Sequence, residues 1–220
     1  MLTFSQVRNN PWVSEFIKQT EIALKTLEYT EHGFRHANLV ASRARALAKE
    51  IGLSSRFQEL SAIAGFCHDM GNFLGRSQHH YWGAFLFSQI FQKEVTPEEL
   101  ALIIQAIANH DKYEMKLSNP ISAVVVLSDK SDVHRSRVIP KPMHKIKEDI
   151  HDRVNYAVSS SKLKVDKSRK KIILSLKIDT GFVPVLEYFE IFTNRMIYCR
   201  KATEYLGYNF SLVINNFQLL

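Results

Sequence analysis

Over the first 130 positions, apolar residues recur every three or four places, the rhythm of helices with one buried face. A helix is predicted from about Ser14 to Leu27. The next carries His36, Val40, Leu47 and Ile51 on one face and stops at Gly52, a residue suited to a helix C-terminus. A third starts near Ser54 or Ser55, runs Phe57, Leu60, Ala64, Cys67 and His68 along one stripe, and ends by Gly71. After a polar loop from Gly75 to Gln78, another helix is predicted over His80 to Gln92. Thr96, Pro97 and Glu99 form a start signal in which threonine caps, proline fits the first turn and glutamate completes a capping box. That helix carries Leu100, Ile103, Ile104 and Ile107 and ends close to His110, and Asn119-Pro120 opens a further one that reaches Asp129.

The rhythm then changes. Residues 132–150 are basic and interrupted by prolines, which predicts a connector with one short helix. Val154, Tyr156 and Val158 alternate as strand residues do, and so do Ile172, Leu174, Leu176 and Ile178, with a turn expected at Asp166 to Arg169. Residues 184–206 predict a long amphipathic helix, and Phe210, Leu212 and Ile214 a last strand. The expected architecture is mainly α: a helical bundle over residues 1–150, followed over 151–220 by a small α+β appendix of ββαβ order.

With 45% hydrophobic residues in a chain of 220, a packed core is feasible. The start MLTFSQVRNN lacks the features of a signal peptide, and no apolar run reaches the roughly 18 residues of a membrane span, so a cytoplasmic protein is expected. Two distant cysteines, Cys67 and Cys199, do not suggest a disulfide framework, and Cys67 is expected as a small buried residue. The net charge of +7 favours anionic partners, phosphate esters and nucleic acids alike. The last 70 residues hold 11 Lys and Arg against 6 Asp and Glu.

The chemistry lies in an ordered series: His36, His68-Asp69, His79 or His80, His110 and Asp129. Each falls within or at the end of an apolar helical stretch, where such side chains are unfavourable without a strong partner. A buried metal centre accounts for the whole series, and imidazole with carboxylate suits Zn, Fe(II), Mn or Ni better than Ca. His-Asp occurs three times, at His68-Asp69, His110-Asp111 and His151-Asp152, so the dipeptide alone is weak, and the third is read as surface chemistry.

The segment AGFCHDMGN resembles the signature of the HD-domain metal-dependent phosphohydrolase superfamily, an apolar helix ending in His-Asp-x-Gly. His36 with Val40 in an alanine-rich helix resembles that family's first motif, and VVVLSDKSD its last, so the resemblance spans roughly residues 30–135. It implies four metal ligands, His36, His68, Asp69 and Asp129. His79 followed by Gly83-Ala84, together with His110, resembles the two-metal branch that includes the HD-GYP phosphodiesterases and the bacterial diadenosine tetraphosphate hydrolases. That implies six ligands around two divalent ions, with Asp69 bridging them and His79 favoured over His80; the alternative is one ion, with His79 and His110 contacting substrate phosphate. Fe, Mn, Ni, Zn and Co are not distinguished, and Mg is admissible. Position 72 is Asn where the motif often has Lys, and no Gly-Tyr-Pro follows His110, which argues against a cyclic-di-GMP substrate.

The expected activity is hydrolysis of a phosphoester or phosphoanhydride in a small nucleotide-like molecule, because a bound ion activates water near neutral pH. Asp69, Lys130 and His32 are the expected catalytic residues, and Arg76, Lys112, Arg135 and Arg137 the candidate phosphate clamps. The alternative is a non-catalytic nucleic-acid-binding or scaffold protein with a vestigial metal site, motivated by the basic hairpin from Lys162 to Lys171. Lysines beside a hairpin turn are commonly a solvated edge, and stacking aromatics are scarce there, so nucleic acid is the less favoured partner. No membrane partner is expected, and the oligomeric state carries no signal.

Overall fold

The computed structural model describes residues 1–112 and 116–219. Its contacts divide the chain into two compact units, Met1–Asp129 and Lys130–Leu220. The first unit is entirely helical: α1 (Phe4–Arg8), α2 (Pro11–Thr26), α3 (Phe34–Glu50), α4 (Ser55–Cys67), α5 (His79–Phe91), α6 (Pro97–Asn109) and α7 (Pro120–Lys130), the last ending one residue into the second unit. Short 3-10 turns at Asn72–Leu74 and Arg76–Gln78 join α4 to α5.

α4 is the axis of this unit. Every residue from Leu60 to Cys67 is buried, so beyond its polar first turn the helix has no solvent-facing side, as expected of a segment enclosed by others. Gly65 lets it lie against α3, because a Cβ there would sit 3.2 Å from the Val40 carbonyl oxygen and 3.3 Å from Ala41 Cα. Phe66, Phe87, Phe91, Ile103, Ile107, Ile121 and Val125 fill the surrounding core. α3 ends as its sequence predicts. Gly52 adopts φ +85°, and the Leu53 amide returns to the Ala48 carbonyl.

Local signals also account for elements that the periodicity misses. Thr3 and Gln6 make a reciprocal capping box for the five-residue α1. Asn10 caps α2, which therefore begins at Pro11, three residues before Ser14. Thr96 caps α6, while the Glu99 carboxylate makes two hydrogen bonds of 2.6 Å to Arg56 on α4. Arg56 also donates to the Leu2 carbonyl oxygen, so one guanidinium ties the N-terminus, α4 and α6 together.

The second unit begins with a 3-10 turn (Arg135–Arg137), α8 (Met143–Glu148) and α9 (Ile150–Ala157). It continues with β1 (Val158–Asp166), β2 (Lys171–Ile178), α10 (Val185–Tyr205), β3 (Asn209–Ile214) and β4 (Phe217–Gln218). The sheet order is β1-β2-β3-β4, with β1/β2 and β3/β4 antiparallel and β2/β3 parallel. α10 is the crossover that two parallel neighbours require. Its Tyr188, Phe192, Met196, Cys199 and Thr203 form a buried stripe, and the buried strand residues include Ile172, Leu174, Leu176, Ile178, Phe210, Leu212 and Ile214. Mainly helical with a small C-terminal α+β part is therefore the observed class, with ten α-helices and four strands among the described residues.

One expectation is corrected. The alternation at Val154, Tyr156 and Val158 predicted a strand, but Ile150–Ala157 is helical. Asp149 caps it by accepting from the Asp152 amide, and Val154, Ala157 and Val158 are buried at a spacing of three and four. Three alternating residues are too short a run to separate the two periods. The strand starts at Val158 and is an edge, with Lys162 and Lys164 exposed. No helix among the described residues is long and apolar enough to cross a membrane.

The Arg56–Glu99 pair gives a test of this packing. Its hydrogen bonds hold the Glu99 carboxyl below the usual carboxylate range. The stabilisation is therefore complete above the ordinary value of about 4.3 and is lost as pH falls through the lower folded value. Glu99→Gln is expected to lower unfolding stability by about 1 kcal/mol at pH 7, a difference that shrinks in acid. Urea midpoints of the two proteins at pH 7 and below pH 4 measure it.

Candidate metal centre

Six side chains from five helical segments converge inside the first unit. His68 and His110 are the residues that end α4 and α6, where backbone carbonyls lack helical partners. Each imidazole uses that deficit: His68 Nδ1 donates to the Gly65 oxygen at 2.8 Å and His110 Nδ1 to the Ile107 oxygen at 2.7 Å. His79, at the start of α5, donates from Nδ1 to the Arg76 oxygen at 2.7 Å. With the proton on Nδ1, all three rings turn an Nε2 lone pair inward.

The Nε2 atoms then meet one another. His36 and His68 approach to 3.2 Å, and His79 and His110 to 3.0 Å. Asp69 divides its oxygens between these pairs. Oδ2 lies 3.2 Å from His68 Nε2 and 3.6 Å from His36 Nε2, whereas Oδ1 lies 3.1 Å from His79 Nε2 and 3.5 Å from His110 Nε2. Asp129 joins the first pair, with Oδ1 3.3 Å from His36 Nε2 and 3.7 Å from His68 Nε2. Asp111 stands beside the second, with Oδ2 3.8 Å from His79 Nε2.

These contacts fit divalent ions. Ligand atoms about 2.1 Å from a shared cation are separated by roughly 3.0–3.4 Å, the range most of these pairs occupy. Facing nitrogen lone pairs repel without a cation or a proton between them. Three overlapping triads bring their ligand atoms within 4.8 Å of one another: His36, His68 and Asp69; His68, His110 and Asp129; and Asp69, His79 and His110, every member buried.

The electrostatics agree. Burial pushes the Asp69 carboxyl up, but His68, His110 and His79 outweigh it and hold it well below the usual range. Burial likewise opposes charge on His68, yet Asp69 and Asp129 leave its pKa raised. His110 is lowered by burial and by the neighbouring imidazoles.

The remaining predicted residues occupy varied places. His79 gives a ring nitrogen to the cluster. Its neighbour His80 is buried with Nδ1 unpartnered, and burial and then His110 and His79 press its pKa down to about 4. His32 is buried, its Nδ1 2.6 Å from the Thr30 oxygen and its ring edge-on to His36. Arg76 donates to Asn72 Oδ1, and Lys112 lies 5.3 Å over the Tyr81 ring. In the second unit, Lys130 is buried, Arg135 is exposed over Tyr156, and Arg137 is buried against Asp132 at 3.3 Å. Cys67 is fully buried, which pushes its thiol up, and it belongs to none of the triads. Sequence reasoning passed over Asp111 and Asn72. The second His-Asp dipeptide was the signal for Asp111.

Glycine explains how the two halves meet. At Gly71 the backbone has an ordinary φ of −90°, yet a Cβ there would collide with the His79 carbonyl oxygen and the Gly83 nitrogen. A Cβ on Gly83 would in turn sit 3.2 Å from the His68 oxygen. The start of α5 is thus pressed onto the turn that follows Asp69, which brings His79 to that carboxylate.

Residues 33–139, just under half of the chain, match the family model described as HD domain. All six converging residues lie within that span. Uncharacterized protein MJ1020 of Methanocaldococcus jannaschii is 26% identical over 159 residues, covering 62% of this chain and 61% of that protein. The match thus spans about three fifths of that relative's length.

Gly71→Ala is expected to lower stability by about 1–3 kcal/mol and to reduce bound divalent metal. Denaturant titration and elemental analysis of the variant read both effects. Unchanged stability together with unchanged metal content would contradict the close approach.

Proposed function

We propose that the chain is an HD-type metal-dependent phosphohydrolase acting on a small phosphorylated, nucleotide-like substrate. The observation that carries this reading is the division of the buried Asp69 carboxylate between two imidazole pairs, His36 with His68 and His79 with His110. His36, His68, Asp69 and Asp129 would hold one divalent ion, and Asp69, His79 and His110 a second. Bound ions lower the pKa of water and offset negative charge on phosphate oxygens.

The chain's own residues supply the rest. Two buried carboxylates, Asp69 and Asp129, bring negative charge to the site, and the backbone-anchored imidazoles of His68, His79 and His110 are aimed inward, as ligation requires. Arg76 and Lys112 adjoin His79 and His110 in the chain and are proposed to bind substrate phosphate. Lys130 and His32 are proposed as proton donors to the leaving group. Arg135 is a third phosphate-binding candidate. The burial of Arg137 against Asp132 favours a role in shaping the turn after Asp129. The substrate class and the second ion rest on this reading, and the six-residue constellation supports them.

Elemental analysis of the purified protein is expected to find one or two equivalents of divalent transition metal. A panel of nucleotides and phosphoesters should contain a substrate. His68→Ala and the milder Asp129→Asn should each reduce both metal content and turnover, and acid should strip the metal as the ligands protonate. Metal-free, inactive protein that binds nucleic acid with a steep salt dependence would favour the scaffold alternative.

A further inference from the structure

Asn72 stands where the resembled motif often carries lysine, and its amide has two partners in the site. Nδ2 donates to Asp69 Oδ1 at 2.8 Å and to the Asp69 carbonyl oxygen at 3.0 Å. Oδ1 accepts from Arg76 Nη1 at 2.8 Å. Asn72 is 3% exposed, so this amide is fixed by burial as well as by its bonds. Nη1 of Arg76 is also 3.5 Å from His79 Nε2, at the edge of the imidazole cluster.

Arg76 forms no direct ion pair with a carboxylate among the described residues. Arg56, Arg137 and Arg153 each meet one. Arg76 is held by a neutral amide, with the Tyr29 ring 6.0 Å away, and its Nε and Nη2 have no hydrogen-bond partner among the described residues. A half-buried guanidinium kept in place without a direct ion pair, with one edge of its fork open, is a receptor for an anion.

We infer that Asn72 is a positioning residue that holds Arg76 at the centre, and that Arg76 binds a terminal phosphoryl group of the substrate, replacing the motif's lysine. The inference rests on the hydrolase reading above and narrows its substrate class. The open edge engages two oxygens. A phosphomonoester or terminal anhydride phosphate still offers a third to the His and Asp cluster. An internal diester has only two non-bridging oxygens, which the fork uses up.

The test is calorimetric binding of inorganic phosphate and of dimethyl phosphate to metal-loaded protein. Metal content is verified in each variant, and turnover is measured in parallel. Arg76→Gln should keep its metal, bind phosphate roughly 10- to 100-fold more weakly, and raise KM more than it lowers kcat. It should also lose most of the preference for phosphate over dimethyl phosphate. Asn72→Ala should weaken phosphate binding too, and the double variant should bind no worse than Arg76→Gln alone, because both changes remove one interaction. Arg76→Gln with wild-type phosphate affinity in a metal-loaded, active enzyme overturns this inference and leaves the hydrolase reading standing. Additive losses in the double variant overturn the positioning role of Asn72. Wild-type protein that takes up no metal and hydrolyses nothing overturns the hydrolase reading itself.

Discussion

A single buried carboxylate governs the arrangement of the first unit. Asp69 is close to four imidazoles, two on each oxygen, and an unpartnered charge there would be strongly unfavourable. Its surroundings remove that penalty in stages. The imidazoles face it, and the Asn72 amide donates to one of its oxygens. The helices are arranged around the needs of this one group.

Backbone chemistry does much of the aiming. Helix ends leave carbonyls without partners, and His68 and His110 sit where such carbonyls become available. Satisfying them fixes which ring nitrogen carries the proton, and hence which one turns inward. A histidine in mid-helix lacks that anchor, which gives the position of these residues in the chain a structural reason as well as a chemical one. Gly71 and Gly83 complete the geometry by letting one backbone rest on another.

Charge is handled differently in the two units. In the first, Arg56 is spent on holding elements together, whereas Arg76 is held by a neutral amide. In the second, lysines line an edge strand, where they oppose further strand pairing.

Much was legible in the residues alone. Helical periodicity through Asp129, the stop at Gly52, the cap at Thr96 and the crossover helix with its alternating strands depend on local preferences, which act within a few residues. The order of histidines and aspartates likewise marked the candidate ligands, because such groups seldom lie in apolar helices without a partner. Tertiary structure decided what depends on distant neighbours. The run from Val154 to Val158 satisfied two periods, and burial together with the Asp149 cap selected the helix. His79 and His80 are adjacent in the chain, and only the contact of Gly71 with the start of α5 determines which ring meets Asp69. Asn72 reads as a missing lysine in one dimension. In three it connects Asp69 to Arg76, since hydrogen bonds are set by separation in space, which a linear order of residues does not contain.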